Sequence, residues 1–210
     1  MCKPWIVLGG GGHAKVVIDT LLTSHQDILG FTSPTEEVAM VLGVERVGDD
    51  DALGRYAAGE VALANGLGSV GSSDRRRDLF LHFSAQSHSF PPVVHPSAVV
   101  ASSVSLGSGV QVLAGAVVQA GCRIHDNVIV NTRSSVDHDC SIGAHAHVAP
   151  GVTLSGGVTV GEGAHIGTGA SVIQGVTIGA RSVVGAGAVV VRDVSVGCTV
   201  VGVPANERIQ

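Results

Sequence analysis

The residues best placed to do chemistry lie between Asn131 and His147, where His138 stands between Asp137 and Asp139 and another histidine closes the segment. A neutral imidazole exchanges protons near pH 7, and a neighbouring carboxylate orients the ring and favours its protonated form. The competing reading is a surface histidine in an acidic corner. A second candidate is the run Gly9-Gly10-Gly11-Gly12-His13. It follows the short apolar stretch Trp5–Leu8 and precedes Ala14–Leu22, whose Val16, Val17 and Leu21 suit a helix packed on a sheet. In that setting the loop's backbone N–H groups and the helix N-terminus face a ligand, which favours a phosphate or a polar sugar substituent. GxGxxG is not matched cleanly, and such a turn can also serve tight packing alone.

The element that must position His138 is a repeat. From Val94 to Val196 every sixth residue is Val, Ile or Leu, and two places before the anchors sit small residues such as Ala98, Cys122, Ser134, Cys140 and Ala146. A six-residue unit with one large and one small inward side chain buries nothing alone, so it must stack on copies of itself as a β-solenoid. Its corners need positive φ. Three places after the anchors stand Gly109, Gly115, Gly121 and Asn127, and later Gly151, Gly157, Gly163, Gly169, Gly175 and Gly187. Between those runs the corner is held by Arg133, Asp139 and His145. A side chain there costs what glycine would not, so the exception marks a candidate site. If a coil is three such units, His138 and His147 are half a coil apart and face opposite sides, and can serve one site only across two chains.

Ahead of the repeat, further strands are expected at Ile28–Thr32 and Val61–Asn65, with a helix from about Ser73 to Ser84. The resulting organisation is a small α/β domain over 1–85 with a Rossmann-like parallel sheet, a linker over 86–96 carrying Pro91-Pro92 and His95-Pro96, and the solenoid over 97–210. Of the 210 residues 45% are hydrophobic but only 3% aromatic, so core volume must come from stacked aliphatics. The net charge of −5 and the lack of a long basic run argue against nucleic acid or an anionic membrane as partner. Arg75, Arg76 and Arg77, the only basic cluster, read as a solvated helix start or a phosphate contact. Cys2, Cys122, Cys140 and Cys198 show no CxxC spacing, and Cys122 and Cys140 read as reduced core packers. Met1–Leu8 lacks the pattern of a signal peptide and no apolar stretch of about 20 residues could insert in a membrane, so a cytoplasmic enzyme is expected.

LGGGGHA at 8–14, the hexapeptide repeat, NTRSSVDHDCSIGAHAHVAPG at 131–151 and VGVPAN at 201–206 together resemble the bacterial left-handed β-helix sugar acyltransferases. That group includes sialic acid O-acetyltransferases and the nucleotide-amino-sugar N-acetyltransferases of bacillosamine and perosamine type. The resemblance implies left-handed coiling, a homotrimer, and acetyl transfer from acetyl-CoA to the amine of a nucleotide-linked 4-amino-deoxy sugar. It implies His138 as general base with Asp139, rather than Asp137, as its orienting acid. His147, Thr168 and Ala186 correspond to acetyl-CoA contacts, the last two through backbone. Gly11, Gly12, His13 and Gly68 correspond to sugar-nucleotide contacts. Zinc-binding carbonic anhydrases of the γ class share the β-helix, and His147 and His165 should stack on one face, but the histidine spacing does not resemble theirs and no metal is expected. Two departures stand out. Where many relatives carry an acidic pair after the second strand, this chain has Thr32-Ser33-Pro34, which leaves UDP, GDP and dTDP open; and Asn206 stands where Lys is frequent. O-acetylation of sialic acid or another sugar hydroxyl is the alternative activity, and a non-catalytic scaffold the third.

Overall fold

The computed structural model describes residues 3–69 and 73–208; Cys2 lies outside them. The N-terminal sheet is built from β1 (Trp5–Leu8), β2 (Ile28–Thr32), β3 (Met40–Val41), β4 (Val44–Gly48) and β5 (Ala62–Asn65), with α1 (Gly12–Thr23) after β1, a 3-10 turn over Asp50–Arg55, and α2 (Asp74–Ala85) after β5. Strand order is β3-β4-β2-β1-β5, parallel except for the β3–β4 edge hairpin. All four β1 residues are buried because each face has a cover: Trp5 and Val7 pack with Ala14, Val17, Ile18 and Leu21 of α1, while Ile6 and Leu8 pack with Leu53, Phe80 and Phe83. The α1 residues recur at helical spacing, which is why that segment is a helix with one buried stripe. The expected strands and helices of this domain are all present, each within a residue or two of its expected bounds. The β3–β4 hairpin and the 3-10 turn lie outside those expectations: β3 has only two residues, and the five of β4 show no alternation of buried and exposed positions.

The solenoid is a three-sided prism of parallel strands. One face stacks Val99–Val100, Val117–Val118, Ser135–Val136, Thr153–Leu154, Ser171–Val172 and Val189–Val190; a second stacks the strands from Ser105–Leu106 to Thr177–Ile178; a third runs from Val93–Val94 through Gln111–Val112, Ile129–Val130, His147–Val148 and His165–Ile166 to Thr199–Val201. Partners are eighteen residues apart, as in Val118↔Val136 and Val148↔Ile166, so one coil is three hexads. The anchors and the small residues two places before them form one continuous core, with Cys122 and Cys140 in it. Their thiols donate to the carbonyls of Asp137 and Ser155, and burial pushes the Cys140 thiol up to about 11, so both are inert packers. The strand Val93–Val94 already pairs with Gln111–Val112 and therefore belongs to the first coil.

The hexad rule fails once. Val196 is 63% exposed, whereas Val194 and Val200 are buried. The last coil is two residues short: Ile178 bridges Val194, and Val184 pairs with Val200. The Asp193 carboxylate accepts from the Thr177 N–H at 2.7 Å, a side chain standing in for a strand acceptor. Beyond it the short Asn206–Glu207 strand pairs antiparallel with Thr199–Val201.

Candidate active site

His138 sits on the corner between the first and second faces, after Ser135–Val136 and before Ser141–Ile142. Asp139 takes the left-handed conformation there, with φ 59°, as the corner demands. That turn puts the Asp139 carboxylate 2.9 Å from His138 Nδ1, while Asp137 accepts from the His138 backbone N–H at 2.8 Å. The division of labour between the two acids is thereby visible: Asp139 holds the ring and Asp137 the backbone. The hydrogen bond to Asp139, followed by the charge of Asp137, raises the His138 pKa above its ordinary value. With Nδ1 donating to Asp139, Nε2 carries the lone pair and makes no hydrogen bond among the described residues. The ring lies over Gly156, one coil on, where an added Cβ would come within 2.6 Å of Nε2 and Cε1. Gly156 therefore leaves the space the imidazole occupies, a role coil arithmetic from His138 could have exposed in the sequence.

Thr168 and Ala186 are exposed and stacked one coil apart on the corner between the third and first faces, where the Thr168 carbonyl accepts from Gly187 N–H. That is a different edge of the prism from the one bearing His138. In a single chain the expected base and the expected acetyl-CoA contacts are not brought together.

His147 opens a strand of the third face and is buried beneath the N-terminal domain. Its Nδ1 lies 3.0 Å from the Ser69 carbonyl, which only accepts, so Nδ1 carries the proton; Nε2 accepts from Asn131 Nδ2 at 3.0 Å. The Asn131 orientation is set by its Oδ1, which accepts from the Thr132 N–H. Burial, reinforced by the neighbouring His165 and Arg76, pushes the His147 pKa down to about 3, so the ring is neutral. Both ring nitrogens are thus engaged within the chain. His165 packs edge-on against it at 5.0 Å, and the described residues contain no group of three or more metal-ligating side chains.

The reading of Arg75 to Arg77 as a solvated start or a phosphate contact needs correction at its centre. Arg76 is 1% exposed, because α2 turns Arg76, Phe80 and Phe83 inward at positions i, i+4 and i+7. Its guanidinium donates to the backbone carbonyls of Asn127 and His145 on the solenoid, and Asn65 ties the Arg76 carbonyl to Asn127. Burial lowers its pKa to about 10, so it remains a cation. The corner side chains Asn127 and His145, with φ 54° and 61°, bond each other and face this arginine. The glycine exceptions thus have two causes: Asp139 serves the exposed histidine, and His145 serves the seam between domains. Arg181, φ 55°, is a further corner held by a side chain in place of glycine.

The glycine loop lies at the carboxyl end of β1, between the strands on either side of it, the crevice where doubly wound sheets bind ligands. Gly10 is close-packed, since a Cβ there would strike the Phe31 ring at 2.7 Å. Gly11 and Gly12 face open space, and Gly11 caps α1 with no side-chain bond, so the first amides of the helix are accessible. His13 packs against Gly68, and its Nε2 bonds Gln111 Oε1 at 2.7 Å. Gln111 Nε2 donates to the Asn65 carbonyl, which makes Oε1 the acceptor and places the His13 proton on Nε2. Burial lowers the His13 pKa, so Nδ1 is a lone pair beside Gly68. Beside this loop opens a cleft of about 570 Å³ lined by Gly9, Pro34, Asp50, Leu67, Arg75 and His82 among others.

A parallel β-helix of hexads preceded by a glycine-loop α/β domain, with an acid-paired histidine on a corner, defines a transferase class, and the comparisons agree. Residues 121–156 and 157–192 match the bacterial transferase hexapeptide family, and residues 5–80 match the PglD N-terminal domain family. A solved perosamine N-acetyltransferase from Caulobacter crescentus, a histidine-to-asparagine mutant in complex with CoA and GDP-perosamine, is 42% identical over 100% of this chain and 99% of its own, with a TM-score of 0.92. The acetyltransferase domain of PglB from Neisseria gonorrhoeae, in complex with acetyl coenzyme A, is 35% identical over 99% of this chain and 100% of its own, with a TM-score of 0.91. WeeI from Acinetobacter baumannii, 24% identical with a TM-score of 0.87 over 99% and 100% of the two chains, shares the fold. The chain belongs to the hexapeptide-repeat, left-handed β-helix family of nucleotide-amino-sugar acetyltransferases.

Proposed function

We propose that this protein transfers the acetyl group of acetyl-CoA to the amine of a nucleotide-linked 4-amino-deoxy sugar, with His138 as general base. The observation that carries the reading is the exposed His138 ring, tied through Nδ1 to Asp139 and open at Nε2. An ammonium cannot attack a thioester, so a proton must leave the acceptor nitrogen as its bond to the acetyl carbon forms. Nε2 takes that proton, Asp139 stabilises the resulting imidazolium, and the C–S bond breaks to release CoA thiolate, which is then protonated. The likeness to the Caulobacter and Neisseria acetyltransferases supports both the donor and the acceptor class.

Acetyl-CoA lies along the corner bearing Thr168 and Ala186, held by backbone groups. Because that corner and the His138 corner are separate edges of one prism, the site is completed by a second subunit in a closed homotrimer. His147 serves this site by holding Asn131 and the Ser69 loop against the coil rather than through a free ring nitrogen. The sugar nucleotide binds at Gly11, Gly12, His13 and Gly68; the amides of Gly11 and Gly12 suit its phosphates, and the neutral Nδ1 of His13 accepts from a sugar hydroxyl or amine.

The test is release of free CoA thiol from acetyl-CoA with a panel of UDP-, GDP- and dTDP-linked 4-amino sugars, their 4-hydroxy counterparts, and free sialic acid. Turnover confined to nucleotide-linked amines is expected. Turnover of the hydroxyl acceptors alone would make the protein an O-acetyltransferase instead.

A further inference from the structure

The cleft beside the glycine loop contains an acid that the sequence pattern of β2 does not provide. Thr32, Ser33 and Pro34 end β2 without a carboxylate, but Asp50, in the 3-10 turn that follows the adjacent strand β4, reaches across to the same place. Thr32 is fully buried and uses both capacities of its hydroxyl: it accepts from the Gly9 N–H at 3.2 Å and donates to Asp50 Oδ1 at 2.5 Å. The first residue of the glycine loop, the end of β2 and the Asp50 carboxylate are therefore one hydrogen-bonded unit. Asp50 makes no other side-chain bond among the described residues, so Oδ2 is left as an acceptor in the cleft lining.

We infer that Asp50, fixed by Thr32, reads the ribose 2′-hydroxyl of the sugar nucleotide and restricts this protein to ribonucleoside-diphosphate sugars. The inference rests on the nucleotide-sugar reading above. In doubly wound sheets a carboxylate at the end of the second strand accepts hydrogen bonds from ribose hydroxyls, because phosphates held at the first helix N-terminus put the ribose over that strand. Here the carboxylate comes from the neighbouring strand and reaches the same end of β2. Thr32 ties it to Gly9, two residues before Gly11, so the carboxylate and the phosphate-binding amides line one cleft. A carboxylate oxygen accepts from a 2′-hydroxyl, and a 2′-deoxy sugar leaves that acceptor facing nothing, so discrimination against dTDP-linked sugars follows.

Calorimetric titration of the intact protein with GDP, 2′-deoxy-GDP, UDP and 2′-deoxy-UDP tests this directly. Each ribose form should bind about ten- to a hundredfold more tightly than its 2′-deoxy partner, the range of a hydrogen bond to a charged group. Asp50→Asn keeps an oxygen for Thr32 but exchanges the charged acceptor for a neutral amide donor, so the ratio should fall in that variant, and Asp50→Ala, which offers the 2′-hydroxyl nothing, should bring it to near one. Equal binding of ribose and deoxyribose forms by the wild type overturns the inference, as does a ratio that survives both substitutions. Loss of both forms together in the variants also overturns it, because the carboxylate would then serve something the two ligands share. Failure of the wild type to bind any nucleoside diphosphate is a different result, which removes the nucleotide-sugar reading and this inference with it.

Discussion

Gly156→Ala isolates the placement of the base from its chemistry. The substitution leaves His138, Asp137 and Asp139 in the sequence and adds one methyl group where the imidazole lies, 2.6 Å from Nε2 and Cε1. Carbon atoms settle at about 3.5–4.0 Å, so the ring must retreat by roughly 1 Å. It is free to do so, because the His138 side chain is 62% exposed and Asp139 72% exposed. The fold should therefore be spared: Gly156 is not among the positive-φ glycines, and a surface change of this kind lies within about 0.5 kcal/mol. A displacement of about 1 Å at a reacting group costs about a hundredfold in rate. Under saturating acetyl-CoA and acceptor, CoA-thiol release should show kcat lowered about a hundredfold with an unchanged Tm. If Gly156→Ala turns over at the wild-type rate, the ring position over Gly156 is not the one that takes the proton.

Asp139→Asn keeps a residue that tolerates the left-handed corner but removes the carboxylate whose hydrogen bond is the largest cause of the raised His138 pKa. Since the neutral ring is the active form, the acid limb of kcat/KM should move to lower pH in the variant, with a reduced plateau; an unmoved limb would assign the titration to another group. The buried His145 and His147 and the half-buried His13 and His165 all have pKa values lowered chiefly by desolvation, so the unfolded chain binds protons that the folded chain refuses. Stability should accordingly be full above about pH 6.5 and be lost as pH falls, by up to about 1.4 kcal/mol per pH unit for each histidine. Thermal melts between pH 7.5 and 4.5 should show that slope, shallower in His147→Asn. Arg76→Ala leaves the Asn127 and His145 carbonyls unpaired and should cost about 1–3 kcal/mol for each in denaturant melts, with Arg76→Met milder because it fills the volume. Val194→Asp should destabilise by about 2 kcal/mol or more while Val196→Asp stays within about 0.5 kcal/mol; the reverse order would restore the unbroken hexad register.

How much of this could be read in advance depended on whether a residue's role was periodic. The inward column from Val112 to Val190, its small partners and the three-hexad coil follow from spacing alone, because each coil repeats the same steric requirement. The glycine missing from the corner at Asp139 marks that segment in the same way, as it does at Arg133 and His145, whereas the role of His138 as base comes from the family resemblance. The same signal was ambiguous at His145, whose left-handed side chain belongs to the Arg76 seam, because a corner exception reports a cost and not what offsets it. Arg76 itself was misread since its partners are backbone carbonyls of Asn127 and His145, which have no sequence signature. Asp50 was missed because the hydrogen bond that brings it to Thr32 joins the ends of two strands separated by a hairpin. The short last coil was hidden by chance, as Val196 keeps the residue type of an anchor while facing solvent.

Acetyl transfer by wild-type protein and by His138→Ala bears most directly on the central claim. Each is incubated with acetyl-CoA and a ribonucleotide-linked 4-amino sugar, the product is weighed by mass spectrometry, and binding of both substrates is measured separately. The account predicts one added acetyl group on the sugar nitrogen with the wild type, and a loss of at least about a hundredfold in kcat with His138→Ala while both substrates still bind. Near wild-type transfer by His138→Ala would contradict it.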